Sequence, residues 1–180
     1  MAEITYATAW RRDDWKLESD AKGFWERLGL VSAEERERRA KELCSLAYAD
    51  GQVIGVTTVT LNDYPPLRAR FAFFRCAVAQ EYRKHYLATY LTRHTLTTTE
   101  QWALENPQEK LQGLGCILQA WELMSKGVYP QWADWNIHLN LVGYTQRGEQ
   151  VRVAWFRQAK LDNPGGPQPP AGPGPGVVTQ

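Results

Sequence analysis

Two adjacent cations follow an apolar segment near the middle of the chain, and they are well suited to bind an anion. Residues 71–78 are rich in aromatic and apolar side chains, which predicts a strand. Helical spacing of leucines then predicts a helix over residues 83–104, beginning with Arg83 and Lys84. The first N–H groups of a helix lack partners, and its dipole is positive there. The pattern indicates a site for phosphate or pyrophosphate, or, as a second interpretation, a solvated helix end.

The same stretch resembles the coenzyme A motif of the GNAT N-acetyltransferase superfamily. That motif reads Arg/Gln-x-x-Gly-x-Gly/Ala. It falls here on residues 83–88, where Arg83 and Ala88 match and Tyr86 stands in place of the first glycine. The resemblance implies that this turn binds the diphosphate of coenzyme A, with acetyl-CoA as the co-substrate. The cofactor-binding residues that it implies are Cys76, Ala77, Val78, Arg83, Lys84, His85, Tyr86, Leu87 and Ala88.

A second part of the resemblance is a predicted hairpin. Asp50 and Gly51 lie between two apolar runs, a pattern typical of a two-residue β-turn. Residues 50–55 are similar to the family's hairpin of strands 2 and 3. The implied fold is α/β (α+β): a GNAT-like, mixed, mostly antiparallel sheet of about seven strands with flanking helices. Strands 4 and 5 would splay apart, and the pantetheine arm would pair with Cys76 and Val78 in the gap.

The remaining elements follow from periodicity and turn residues. Asp13 or Asp14 is expected to cap the first helix, and Ser32 opens a capping box for the second. Residues 62–70 read as a loop, and residues 123–136 show no clear pattern. The predicted strands are 3–9, 43–49, 53–61, 71–78, 116–121, 137–145 and 150–157, and the predicted helices are 15–29, 33–41 and 83–104.

Acyl transfer to an amine needs one group that removes a proton and another that returns one to the thiolate. The resemblance implies a tyrosine acid after the fifth strand, which matches Tyr129 first and Tyr144 second. The family's carboxylate base on strand 4 has no counterpart here, and the nearest carboxylate is Glu81 in the turn. Water, His138 and Glu122 remain as alternative bases.

Composition excludes some functions and favours one compartment. Lys and Arg number 21 against 20 Asp and Glu, so no strong overall field for nucleic acid or membranes is expected. The three cysteines are widely spaced and show no metal-binding pattern, which indicates free thiols in a reducing compartment. Cys76 as a nucleophile is an alternative. Without a signal-like or membrane-spanning segment, a cytoplasmic protein is expected, with no metal.

Two regions are predicted: a GNAT-like domain over residues 1–162 and a flexible Pro/Gly-rich tail over residues 163–180. The predicted function is acyl-CoA-dependent transfer, with acetyl-CoA as donor, to an amine of unknown identity. One alternative is a GNAT-like binding protein that has lost catalysis. Another is an acyltransferase for a nucleic-acid-linked amine, in which Arg93 and His94 would extend the cationic patch. A homodimer is left open.

Overall fold

The computed structural model describes residues 3–119, 127–134 and 137–161, with the side chains of Lys84, His85 and Asp134 left out of the description. Three α-helices lie in these ranges: α1 Trp15–Arg27, α2 Ala33–Ala40 and α3 Leu87–Glu105. The strands are β1 Ile4–Thr8, β2 Leu43–Ala49, β3 Gln52–Tyr64, β4 Ala69–Val78, β5 Leu111–Leu118, β6 Gln131–Asp134, β7 Ile137–Tyr144 and β8 Gln150–Trp155.

All eight strands join one sheet in the order β1-β2-β3-β4-β5-β8-β7-β6. Each neighbouring pair is antiparallel except β4 and β5, which are parallel and connected through α3. The predicted mixed, mostly antiparallel α/β fold is therefore confirmed. The sheet has eight strands rather than about seven, because β6 forms within the segment that showed no clear sequence pattern.

The local signals in the first half of the chain are confirmed. Asp50 and Gly51 have φ angles of 49° and 75°, the left-handed pair that a tight hairpin turn between β2 and β3 requires. The Asp14 side chain accepts hydrogen bonds from two backbone N–H groups at the start of α1. The Ser32 hydroxyl accepts the N–H of Glu35 at 3.2 Å, so it caps α2 as the capping box predicts.

Several predicted boundaries are wrong, among them those of β5 and of the loop before β4. Strand β5 runs over Leu111–Leu118 instead of residues 116–121, because Gly113 and Gly115 lie within the strand rather than ahead of it. A Cβ at Gly113 would lie 2.3 Å from the carbonyl oxygen of Ala154, so only glycine permits this close approach to β8. The predicted loop over residues 62–70 is also shorter, because β3 extends to Tyr64 and a 3₁₀ turn, Pro65–Leu67, leads into β4.

Helices cover the sheet on both faces, which we name by the helix that packs there. On the α3 face, Leu87 and Leu91 pack with Ile54 and Val78. Here α3 comes so near that a Cβ at Gly55 would lie 2.7 Å from the Leu91 Cδ1 atom. On the α1 face, apolar residues of α1 and α2 cover β2 and β3 with Phe24, Trp25, Leu46 and Val56 at the centre. Within the described residues, none of the helices has the length and apolar character to cross a bilayer.

Candidate active site

Strands β4 and β5 part in the middle of the sheet. Their parallel pairing ends with Phe73 opposite Gly115, yet β4 continues to Val78 and β5 to Leu118. Beyond that row, β4 stays paired with β3 on its other side as far as the Gly55–Val78 pair. The expected opening between the fourth and fifth strands is therefore present, and we call it the gap.

The β4 residues that do not hydrogen-bond to β3 have backbone groups that face the gap. The N–H of Ala79 donates to the Ile54 carbonyl at 2.8 Å, and antiparallel pairs alternate between those that exchange hydrogen bonds and those that do not. Counting back in the same register, Ala77 exchanges hydrogen bonds with β3. The backbone N–H groups of Cys76 and Val78 consequently point away from β3 and towards the gap. An extended chain carrying amide groups can pair there.

The turn after β4 differs from the predicted helix start. Gln80–His85 is a 3₁₀ helix, and α3 begins only at Leu87, so Arg83 is not the first residue of the α-helix. Tyr86 separates the two because its φ of 55° and ψ of 13° are left-handed. Glycine adopts this conformation freely, whereas other residues adopt it at a cost of roughly 1–2 kcal/mol. Tyr86 thus has a backbone conformation that glycine favours, at the position of the motif's first glycine.

The amino terminus of α3 differs from that of the other two helices in the described residues. Its first helical hydrogen bond joins the Tyr90 N–H to the Tyr86 carbonyl at 3.0 Å, no side chain of the cap residue binds the first turn, and that turn has no acidic residue. The other two helices each have a side-chain cap and acidic residues in the first turn. The positive end of the α3 dipole therefore lacks the side-chain cap and the acidic first-turn residue that the other two helices have.

Arg83 lies beside this end of β4. Its side chain is exposed, and Nε donates to the Val78 carbonyl at 3.3 Å. Among the described contacts of this guanidinium, only Nε is engaged, so both Nη groups can take an anion. Glu81 is exposed in the same turn. Leu87 is buried in the core, so only its backbone can contact a ligand, and Ala88 is exposed.

Cys76 is a poor nucleophile in this environment. Burial raises the pKa of its thiol to about 12, and the same cause raises the pKa of Cys44 and Cys116 to about 12. A thiol with such a pKa stays protonated at neutral pH, while the thiolate is the reactive form. All three cysteines are free thiols. In the described residues, no group of three or more His, Cys, Asp or Glu side chains is arranged to hold a metal ion.

The candidate acids lie on the β5 side of the gap. Tyr144 ends β7 opposite Gln150, and Gln150 pairs with Leu118 at the end of β5, so these residues form one row. Tyr129 precedes β6, and both tyrosine side chains are exposed. His138 lies near the other end of β7, opposite Ala133. The alternative base Glu122 lies outside the described residues.

Arg152 is a buried charged residue beside the candidate site that sequence reasoning did not identify. It is fully buried in β8 opposite Cys116, and this desolvation lowers the pKa of its guanidinium. Nη2 donates to the carbonyl oxygens of Gly127 at 2.9 Å and Tyr129 at 2.8 Å. Nη1 donates to the Leu139 carbonyl at 3.2 Å, and Nε to the side chain of Gln150 at 2.9 Å. In the part of the chain that the structure describes, backbone carbonyls thus replace a carboxylate as its partners.

The available signal for Arg152 was its position in a strand. It lies between Val151 and Val153 in an alternating segment and pairs with Cys116 of β5. A lone arginine among apolar neighbours usually extends its head group to solvent, and the sequence does not reveal which carbonyls come close enough to satisfy five donors.

Comparisons with known proteins agree with this geometry. A family model described as "Acetyltransferase (GNAT) family" matches residues 5–120. A search of curated proteins found no match.

Three solved structures illustrate the shared fold. An acetyltransferase of the GNAT family from Streptococcus pneumoniae is 14% identical with a TM-score of 0.52, over 85% of this chain and 99% of its own. The ribosomal-protein-S18-alanine N-acetyltransferase from Escherichia coli is 12% identical with a TM-score of 0.52, over 89% and 99%. A mutant of the toxin AtaT, bound to the C-terminus of the antitoxin AtaR and to acetyl-CoA, is 13% identical with a TM-score of 0.52, over 86% and 94%.

Proposed function

Because the chain belongs to the acetyltransferase (GNAT) family, we propose that it transfers an acyl group from a coenzyme A thioester to a primary amine. Acetyl-CoA is the donor in this proposal. The observation that carries it is the gap, which opens directly beside the amino terminus of α3. Unpaired strand edges cost hydrogen bonds, so an opening of this kind favours a ligand that pairs with them.

Three features of the chain support binding of the donor. The N–H groups of Cys76 and Val78 point into the gap, where they can pair with the amide groups of the pantetheine arm. The uncapped first turn of α3 offers N–H groups to the diphosphate. The guanidinium of Arg83 adds a charge-assisted contact at the same point. Lys84 and His85 belong to the same motif.

The reaction makes defined demands on the acceptor side. The amine must first lose its ammonium proton. Its nitrogen then forms a C–N bond with the thioester carbonyl carbon and loses a second proton, the C–S bond breaks, and the coenzyme A thiolate leaves and takes up a proton. Holding both reactants in one place removes much of the entropic barrier. In this proposal Tyr129, or Tyr144, supplies the proton to the thiolate, and Glu81 or an ordered water molecule receives the ammonium proton.

A second candidate function is a binding protein that retains the fold without catalysis. Tyr86 favours it, because a side chain replaces the motif's first glycine and narrows the approach to the first turn of α3. The cytoplasmic location and the boundary of the domain near residue 162 remain part of the proposal.

Calorimetric titration with acetyl-CoA, together with a thermal melt, separates these candidates. A ligand that binds only the folded state raises stability by RT ln(1 + [L]/Kd), about 2.7 kcal/mol at a hundredfold excess over Kd. We expect binding, and release of free thiol when amines are supplied. Binding without thiol release for any amine would favour the binding protein, and no binding would contradict both donor and site.

A further inference from the structure

We propose that the acceptor is an α-amino acid with a large apolar or aromatic side chain. This inference rests on the proposed function and concerns the α1 face of the gap. Its basis is an aromatic floor formed by Tyr64, Phe71, Phe73 and Trp155, together with the half-exposed guanidinium of Arg75.

The acyl donor and the amine acceptor are expected to approach the gap from opposite faces of the sheet. α3 packs on one face, so a donor held at its first turn enters the gap from the α3 face. An acceptor that attacks the thioester must then approach from the α1 face. Side chains alternate along a strand, so Phe73 and Arg75 point to the α1 face while Cys76 points to the α3 face.

The α1 face is apolar in the last paired rows before the strands part, where Phe71 is buried and Phe73 and Trp155 reach the surface. Phe73 occupies the last paired row, and its ring lies over Gly115, where a Cβ would be 2.9 Å from Cε1. The ring centroids of Phe71 and Phe73 are 6.3 Å apart, and those of Phe71 and Trp155 are 5.2 Å apart. Trp155 of β8 is 39% exposed. Ile117, which follows Gly115 on this face of β5, is 40% exposed. This surface suits an apolar side chain, since burial of its area stabilises a complex.

The charge at the gap favours an anion near the amine. The Nη1 atom of Arg75 is 2.7 Å from the Glu42 carboxylate, which also binds Arg38 at 2.7 Å. Arg38 and Arg39 share the other carboxylate, Glu35. Three guanidinium groups therefore meet two carboxylates in this cluster.

Arg75 retains donors for a ligand. Its side chain is 39% exposed, and among the described contacts only Nη1 is engaged. Arg75 is adjacent in β4 to Cys76, whose N–H faces the gap. One residue step along a strand is about 3.3 Å, so Arg75 leaves the strand at the level of the gap, on the face from which the acceptor approaches. A polyamine would meet a net positive charge here, because both carboxylates already have arginine partners.

The test compares matched amines with acetyl-CoA as donor, measuring released thiol. L-phenylalanine and L-leucine have both the carboxylate and the large apolar side chain of the proposed acceptor. Phenethylamine lacks the carboxylate, and glycine lacks the side chain. Spermidine is a polycation. We expect kcat/KM for L-phenylalanine to exceed that for phenethylamine and for glycine by about tenfold or more, equivalent to one charge-assisted contact or one apolar contact of about 1.4 kcal/mol.

Arg75→Gln should lower kcat/KM for L-phenylalanine about tenfold and change that for phenethylamine less than about twofold. Arg70→Gln is the matched control: Arg70 lies on the same strand, 36% exposed, with one short ion pair to Glu109 at 2.9 Å, but at the opposite end and on the other face. We expect Arg70→Gln to leave the ratio of kcat/KM for L-phenylalanine to kcat/KM for phenethylamine unchanged. Saturation-transfer NMR of L-phenylalanine on the coenzyme A-loaded protein gives a readout independent of turnover, and its signal should weaken in Arg75→Gln.

The outcomes are distinguishable. Thiol release with spermidine or phenethylamine in preference to L-phenylalanine would overturn this inference while leaving the acyltransferase intact. An unchanged amine ratio in Arg75→Gln would overturn the role of Arg75. Failure to bind acetyl-CoA at all would remove the proposed function, and the inference with it.

Discussion

The guanidinium of Arg152 donates a 2.8 Å hydrogen bond to the carbonyl oxygen of Tyr129, although 23 residues separate the two in the chain. The same nitrogen binds the carbonyl of Gly127 at 2.9 Å. One buried side chain of β8 therefore anchors the segment that carries Tyr129 and leads into β6. If Tyr129 acts in catalysis, Arg152 is a positioning residue for it.

Replacing Arg152 with lysine should destabilise the fold and slow turnover. The ammonium group has three donors without the planar fork, so buried carbonyls lose partners at roughly 1–3 kcal/mol each. We expect the free energy of unfolding, measured in urea, to fall by about 2–4 kcal/mol. The Kd for acetyl-CoA should change little while kcat falls. Arg147→Lys in the exposed β7–β8 turn is the control, and wild-type stability in Arg152→Lys would contradict the anchoring role.

Arg83→Ala should weaken binding of acetyl-CoA without affecting the fold. Its exposed guanidinium is held beside the first turn of α3 by one hydrogen bond to Val78, so its loss removes one charge-assisted contact of about 1–3 kcal/mol. Titration calorimetry should show a Kd raised roughly 5- to 150-fold, with a smaller effect at high salt. Arg12→Ala, at an exposed position before α1, serves as control. Equal affinity in Arg83→Ala and wild type would exclude this residue from the site.

Tyr86→Gly should be tolerated, whereas the same change one turn later should not. Glycine relieves the left-handed strain at Tyr86, roughly 1–2 kcal/mol, and this offsets its entropic cost of about 0.5–1 kcal/mol. Tyr90 lies inside α3, where glycine offers no such compensation. We expect unfolding free energies close to wild type for Tyr86→Gly and about 1 kcal/mol lower for Tyr90→Gly. Acetyl-CoA should bind Tyr86→Gly at least as tightly as wild type, and a large loss of stability in that variant would contradict the assigned strain.

Cys76→Ala should retain acyl transfer and reduce the alkaline sensitivity of the fold. The folded thiol has a pKa of about 12, while an unfolded cysteine titrates near 8.5. Above about pH 8.5 the unfolded chain therefore holds fewer protons than the folded one, so stability falls as pH rises from there towards 12. Unfolding free energies at pH 7.5 and 10 should differ less in Cys76→Ala than in wild type. Abolished transfer in a folded Cys76→Ala protein would restore the nucleophile hypothesis.

Local sequence signals predicted much of the scaffold because the relevant interactions are short-range. The left-handed turn at Asp50 and Gly51 and the caps Asp14 and Ser32 depend on residues a few positions apart. The predicted element boundaries were wrong where backbone packing or backbone conformation, rather than residue type, determines where an element begins. Gly113 lies inside β5 because β8 approaches it, and α3 begins late because Tyr86 takes a left-handed conformation that its residue type does not favour.

The sequence by itself determined the three helices, seven of the eight strands and their order along the chain, since periodicity and turn residues act locally. Only the tertiary structure decided where β4 and β5 stop pairing, because strand separation depends on the register of both strands at once. It also decided that Arg75 borders an aromatic floor and that Arg152 satisfies its donors with carbonyls. Both environments are assembled from residues far apart in the chain, and burial and hydrogen bonding there follow from packing rather than from neighbours in sequence.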